Sequence, residues 1–263
     1  MGEQNFKEAA EFIRNNLRMK TFPVAVKFLK DSKDFPEKTR RPSQVMGKRV
    51  AICQAVTMAR LYGWTIGLTK EDLICIPAAI TFGFSDAEDP ASAVARLLYE
   101  LSYSQNEEAG VKEATSITRL ENGEYEAVLL APLHRATFEA DTLVFYGNPA
   151  QIMRFVHAWS YLKGEQVQGS FGGKITCSDY LIVPFKEQIP RVTVPGMGDR
   201  TFSITQDDEM VFSMPGSSLT DLIQGLKEAG SKVGAKYPVS EFLNYEPEFP
   251  KYFTKLGKEL GIL

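Results

Sequence analysis

Helix-period and strand-period apolar patterns alternate along this chain, with no low-complexity tract or long linker between them. That alternation restricts the fold to helices layered on a sheet, of the α/β or α+β class. The clearest elements mark their own ends. Asp89-Pro90 and Asn148-Pro149 each set a capping side chain before a proline at the first helical position. The helices they start are expected to run to about Tyr103 and Leu162. Residues 3–19 carry Phe6, Ala9, Ala10, Ile13 and Leu17 on one stripe and predict an amphipathic helix. Residues 50–63 predict another, with Ile52, Ala55, Val56 and Ala59 inward and Gly63 as its stop. A capped single turn is read at residues 69–72, and further helices at about 217–229 and 248–260.

Strands are expected at residues 24–29 (VAVKFL), 142–146 and 191–194, and in the apolar runs 74–84 and 175–185. Residues 114–120 and 125–133 read as a hairpin around Asn122-Gly123. Together these segments predict a mixed sheet with hairpins and flanking helices, in one compact domain over residues 1–263. Residues 1–140 and 141–263 read as two weakly similar halves. In each, a helix ending in glycine (Gly63, Gly164) precedes a cysteine (Cys75, Cys177) that opens an apolar stretch.

Composition excludes several function classes. Lys and Arg number 30 against 33 Asp and Glu, a net charge of −3, which argues against nucleic-acid binding. No apolar run approaches the ~20 residues of a membrane helix, and MGEQNFKEAAEF lacks the apolar core of a secretory signal. Three widely spaced cysteines do not make a disulfide framework, so a reducing cytoplasmic setting is expected. With only His134 and His157, a histidine-rich metal site cannot be built within one chain.

The cysteines are then the residues most able to carry chemistry. Cys53 lies near the start of the 50–63 helix, where the helix N-terminus with Arg49 or Arg60 would favour a thiolate. Cys75 and Cys177 sit in apolar sequence, which suits inert core thiols as well as ligands. Three thiolates can hold an iron–sulfur cluster with one iron site left for a non-cysteine ligand. His157, inside the 149–163 helix, is the axial candidate for a haem-like tetrapyrrole, or an interior histidine with a hydrogen-bond partner. Gly169–Gly173 (GSFGG) lacks phosphate-loop spacing and reads as a loop. Residues 196–200 read as a tight turn presenting Arg200 to an anion or to Asp199. The basic run Arg40, Arg41, Lys48 and Arg49 reads as solvated loop or as a neutraliser of an anionic ligand.

Ordered segments across the chain carry a resemblance. They are Cys53-Gln54-Ala55 with Ala59-Arg60 and Gly63; Glu71-Asp72 before Cys75; residues 141–147 followed by Pro149-Ala150-Gln151; residues 173–177 with the apolar run to Pro184; and Gly198-Asp199-Arg200 with Glu209-Met210 and Pro215. In this order they resemble the domain of unknown function 169 family of archaea and anaerobic bacteria. The resemblance implies a compact domain, an anaerobe-linked cytoplasmic setting, cysteines at positions like Cys53, Cys75 and Cys177, and a metal or redox cofactor. Many members carry a further cysteine where this chain has Pro195-Gly196-Met197, so the chain departs from a four-thiol pattern. It implies no reaction.

The expectation is a cytoplasmic protein that binds an iron–sulfur cluster or a tetrapyrrole and has a redox role. Cys53, Cys75 and Cys177 are the metal ligands, His157 the axial candidate, and Arg60 and Arg200 the contacts to an anionic edge. Its partner is a small-molecule ligand or cofactor, with no nucleic acid and no membrane; a homo-oligomer is left open. Two other readings remain: a metal-free binding or interaction module with structural thiols, and an enzyme with Cys53 as nucleophile.

Overall fold

A computed structural model describes residues 3–233, 237–240, 242–243, 245 and 249–263. Seven strands form one sheet: β1 (Val24–Leu29), β2 (Ile66–Thr69), β3 (Ala127–Pro132), β4 (Thr142–Gly147), β5 (Gln168–Ser170), β6 (Arg191–Thr193) and β7 (Met210–Pro215). Their order is β2-β3-β1-β4-β7-β6-β5. Every pair is antiparallel except β5–β6, so the sheet is mixed. The helices are α1 (Glu3–Leu17), α2 (Pro42–Val45), α3 (Ile52–Tyr62), α4 (Ile76–Thr81), α5 (Pro90–Glu100), α6 (Glu107–Ser116), α7 (Pro149–Lys163), α8 (Val183–Glu187), α9 (Met197–Phe202), α10 (Leu219–Glu228) and α11 (Lys251–Glu259).

Strand alternation sends side chains to two different layers. Val24, Val26, Phe28, Leu130 and Val144 point to one face, where α3 packs through Ile52, Val56 and Ala59. Ala25, Ala131, Leu143, Phe145 and Phe212 point to the other, covered by α1, α7 and α10. The α3 and α7 helices, which follow β1 and β4, therefore lie on opposite faces. The two halves of the chain meet where β1 pairs with β4 at Val24↔Val144, Ala25↔Leu143 and Val26↔Thr142. The α5–α6 pair forms a satellite cluster of Val94, Ala95, Leu98 and Ala114, packed on Ile80 and Ile175.

Local chemistry explains the helix ends. Asp89 accepts from the Ser92 amide at 3.1 Å, and Asn148 from the Gln151 amide at 3.0 Å, while the Asn148 amide donates to Gln151 Oε1 at 2.8 Å. Gly63 and Gly164 take left-handed conformations (φ 69° and 68°) and end α3 and α7.

Three expected strands are different. Residues 74–84 hold α4, with Pro77 in its first turn. Residues 114–116 end α6 and residues 117–120 are irregular, so the Asn122-Gly123 turn does not join two strands. Residues 175–185 form a π-helical turn (Ser178–Ile182) that runs into α8. Tyr180, Leu181, Ile182 and Val183 are all buried, and a helix covered on every side has the same apolar run as a buried strand. Residues 196–200 begin α9 rather than a tight turn. Among the described residues, no helix is long and apolar enough to cross a membrane.

Candidate functional site

The three cysteines, far apart in sequence, line one cavity of about 310 Å³ on the α3 face of the sheet. Cys53 is the second residue of α3, Cys75 immediately precedes α4, and Cys177 immediately precedes the π-helical turn. Asp199 of α9 lines the same cavity. Most of the remaining wall is aliphatic: Ile52, Ala78, Leu97, Leu98, Leu101 and Ile175.

Particular bonds bring these elements together. Val50 donates to the Asp72 carbonyl at 2.8 Å and accepts from Ile74 at 3.1 Å, which sets the entry to α3 beside the segment leading to Cys75. Asp72, wholly buried, fixes that segment. It accepts from Arg41 Nε and Nη2 at 2.9 and 2.7 Å, from the Ser43 and Thr69 amides, and from the Ser43 hydroxyl. Across the cavity, Met197 N donates to the Gly173 carbonyl and Gly196 N to Thr176 Oγ1, joining α9 to the strip that carries Cys177. Thr57 Oγ1 donates to the Ser203 carbonyl at 2.8 Å, and Cys53 Sγ reaches the Gly198 carbonyl at 3.6 Å. Those two contacts tie α3 to α9.

Asp199 is 4% exposed and held by hydroxyls. Thr176 Oγ1 donates to Oδ2 at 2.7 Å, and Tyr180 and Tyr146 donate to Oδ1 at 2.8 and 3.3 Å. Burial pushes both phenols well above their ordinary range, so they remain protonated donors. Behind Tyr146, Arg60 lies 4.0 Å over the ring and makes a two-pronged pair with Glu209 at 2.6 and 3.0 Å.

Burial, followed by the negative charge of Asp199, pushes the Cys53 thiol up to about 12. Cys75 is pushed up by burial and by the same charge. Cys177 is pushed well up by burial, Cys75 and Asp199. All three are therefore neutral thiols at neutral pH. This corrects the expected Cys53 thiolate. Arg49 instead donates to the Glu71 and Lys70 carbonyls, and Arg60 is committed to Glu209. Among the described residues, no three Cys, His, Asp or Glu side chains stand in a metal-ligating arrangement.

The backbone at the cavity is strained. Ile175, which lines the cavity two residues before Cys177, has φ 55°. A β-branched residue in this region is a true outlier and costs on the order of 1–3 kcal/mol, a cost that concentrates at functional sites. A π-helical turn directly after Cys177 is a second irregularity of the same kind.

Other candidate residues lie elsewhere. His157 is half-buried on α7, on the opposite face of the sheet, with Nδ1 3.3 Å from Arg154 Nη1. It does not line the cavity, so it is no axial ligand there. His134 packs against the Phe22 ring at 4.6 Å, also away from the thiols. Arg60 faces Glu209 rather than a ligand edge. Arg200 donates to the Pro195, Gln206 and Glu209 carbonyls and braces α9 instead of meeting an anion. In the basic run, Arg41 serves Asp72 and Arg40 lies 4.3 Å over Trp64. Sequence reasoning considered Asp199 only as a turn contact of Arg200. A lone aspartate between glycine and arginine gives no signal of burial.

The DUF169 family model, described as "Uncharacterised ArCR", matches residues 13–225. A Methanocaldococcus jannaschii protein described as uncharacterized is 28% identical over 206 residues, spanning 78% of this chain and 86% of its own length. No solved structure matches the chain. The family match takes in all three cysteines, Asp199, and the Arg60–Glu209 pair behind them, and the chain belongs to the domain of unknown function 169 family.

Proposed function

We propose that the cavity binds a thiophilic metal cofactor, foremost an iron–sulfur cluster, through Cys53, Cys75 and Cys177. One observation carries the reading: every cysteine of the chain, drawn from three separate segments, lines a single cavity. Soft sulfur donors suit iron–sulfur clusters, zinc and copper(I). The strained Ile175 in the cavity wall supports the reading, because such conformations persist where a site requires them. As placed, the three thiols do not form a ligand set, so holding a metal would require them to change position and give up their protons. A cluster held by Cys53, Cys75 and Cys177 would supply one-electron transfer there. The tetrapyrrole version is not carried forward, because His157 lies on the other face of the sheet.

The test is iron, acid-labile sulfide and the visible spectrum of the protein purified anaerobically from its own host. Metal bound by the wild-type chain and absent from a folded Cys53→Ser/Cys75→Ser/Cys177→Ser variant supports the proposal. A colourless, metal-free wild-type protein, or a triple variant that keeps its metal, overturns it. A metal-free outcome favours the second reading, an apolar small-molecule pocket, to which the aliphatic wall and neutral thiols point.

A further inference from the structure

The cavity lies on the seam between two packed layers. Ile52, Ala78 and Cys177 in its wall belong to the core under α3, and Leu98 belongs to the α5–α6 satellite cluster. Ile175 packs against both. Leu101, Tyr103 and Phe202 also line the cavity, are exposed, and so mark its mouth. Protein interiors rarely leave a space larger than one water between packed layers. An apolar cavity of ~150 Å³ holds the six-carbon ring of benzene. This one, at about 310 Å³, is roughly twice that size.

The chemistry of the wall narrows what can enter. Among the described residues, Lys174 and Asp199 are its charged side chains, and both are engaged. Lys174 Nζ pairs with Glu113 at 2.8 Å and donates to the Tyr103 carbonyl at 3.3 Å. Asp199 accepts from Thr176, Tyr180 and Tyr146. Neither charge calls for a charged ligand. Free cysteines behave as small apolar side chains, so Cys53, Cys75 and Cys177 extend the aliphatic wall.

We infer that the cavity of the metal-free chain takes an uncharged hydrocarbon chain, straight or methyl-branched, of about ten to twelve carbons. This inference rests on the second reading above, the apolar pocket, and gives that reading a ligand class. The hydrocarbon enters tail first, between Ile52, Ala78 and Ile175 on the core side and Leu97 and Leu98 on the α5 side. Its uncharged polar end stays at the mouth, beside Leu101 and Phe202, where water reaches it.

The test follows the uncharged fluorescent probe N-phenyl-1-naphthylamine on the metal-free full-length chain, and its displacement by 1-alkanols from hexanol to tetradecanol. Affinity is expected to rise about fourfold per methylene up to about ten to twelve carbons and then to level off. Decanoate is expected to displace the probe less well than decanol. Ala78→Leu adds three carbons to the wall and is expected to bring the plateau about three carbons lower, since a close-packed site has no slack to absorb them. Folding is checked by circular dichroism, and Ala78→Val, which adds two carbons, decides if Ala78→Leu does not fold. Affinity still climbing at tetradecanol, or decanoate binding as tightly as decanol, overturns the ligand class and leaves an apolar pocket standing. A plateau unmoved by the Ala78 variant puts the alkanols elsewhere and overturns the inference. A chain that binds neither the probe nor any alkanol overturns the pocket reading, and this inference with it.

Discussion

Removing Glu209 tests whether the cavity rests on a buried ion pair. Arg60 is 1% exposed, its two terminal nitrogens meet the Glu209 carboxylate at 2.6 and 3.0 Å, and its Nε has no hydrogen-bond partner. Glu209→Ala leaves this cation in the interior with only the Tyr146 ring, 4.0 Å away, to face it. An aromatic face contributes about 2 kcal/mol to a desolvated cation, less than a buried charge loses with its partner. Breaking such a pair costs about 3–5 kcal/mol. At about 2–4 °C per kcal/mol for a chain near this size, the melting temperature falls by roughly 6–20 °C.

The assay is guanidinium unfolding followed by circular dichroism and by the fluorescence of Trp64 and Trp159. A lower midpoint at constant slope reports a loss of stability. Arg60→Met with Glu209→Met removes both charges and is expected to recover most of the loss, because apolar side chains of similar volume replace buried ion pairs at little cost. A Glu209→Ala chain that loses less than about 1 kcal/mol would refute the argument. A double variant less stable than Glu209→Ala would do the same.

Asp72 gives the fold a calculable acid sensitivity. Burial pushes its carboxyl up, but the bonds from Ser43, Thr69 and Arg41 outweigh burial and hold it below the ordinary carboxylate range. Its stabilisation is therefore complete above the unfolded-state value of about 3.9 and is lost as pH falls through the lower folded value. Asp72→Ala is expected to cost about 1–3 kcal/mol at neutral pH, because it leaves the Ser43 and Thr69 amides without their acceptor, while Arg41 keeps Glu71 at 3.6 Å. The loss should shrink as the melts are repeated at progressively lower pH, once Asp72 is protonated in the folded chain as well. On the far face of the sheet, Phe212 stacks on Phe155 with centroids 5.4 Å apart and planes 10° from parallel. Phe212→Ala is expected to lower stability by about 3–5 kcal/mol in the same unfolding assay.

The parts of the fold legible in the sequence are those fixed by local chemistry. The Asp89 and Asn148 caps and the 24–29 strand lie where the residue pattern predicts, because capping and alternation depend on near neighbours alone. Residues 175–185 defeated the same reasoning. A run such as Tyr180–Val183 does not say whether its neighbours are strands or helices. The short strand β2, with Gly67 at its centre, lacks a pattern of its own and forms because β3 offers it a partner.

The site divides in the same way. Cysteines 53, 75 and 177 stand out by rarity, so they are legible as residues. Their convergence on one cavity depends on long-range bonds such as those of Val50 and Thr57, which leave no local trace. Arg60 and Arg200 were legible as notable arginines, but their partners, Glu209 and the carbonyls around α9, were not.

The boundary between β1 and β4 has a consequence for how long the chain survives. Cys53 and Cys75 come before that boundary in sequence, whereas Cys177 and Asp199 come after it. On the proposed reading, a molecule held by residues from both sides of that boundary would act as a rivet between the two parts of the chain. Occupancy at a thousandfold excess over Kd adds about 4 kcal/mol to that closure. Proteases attack the opened chain, so on the proposed reading the protein would outlast its ligand-free form in proportion to the occupancy of the cavity.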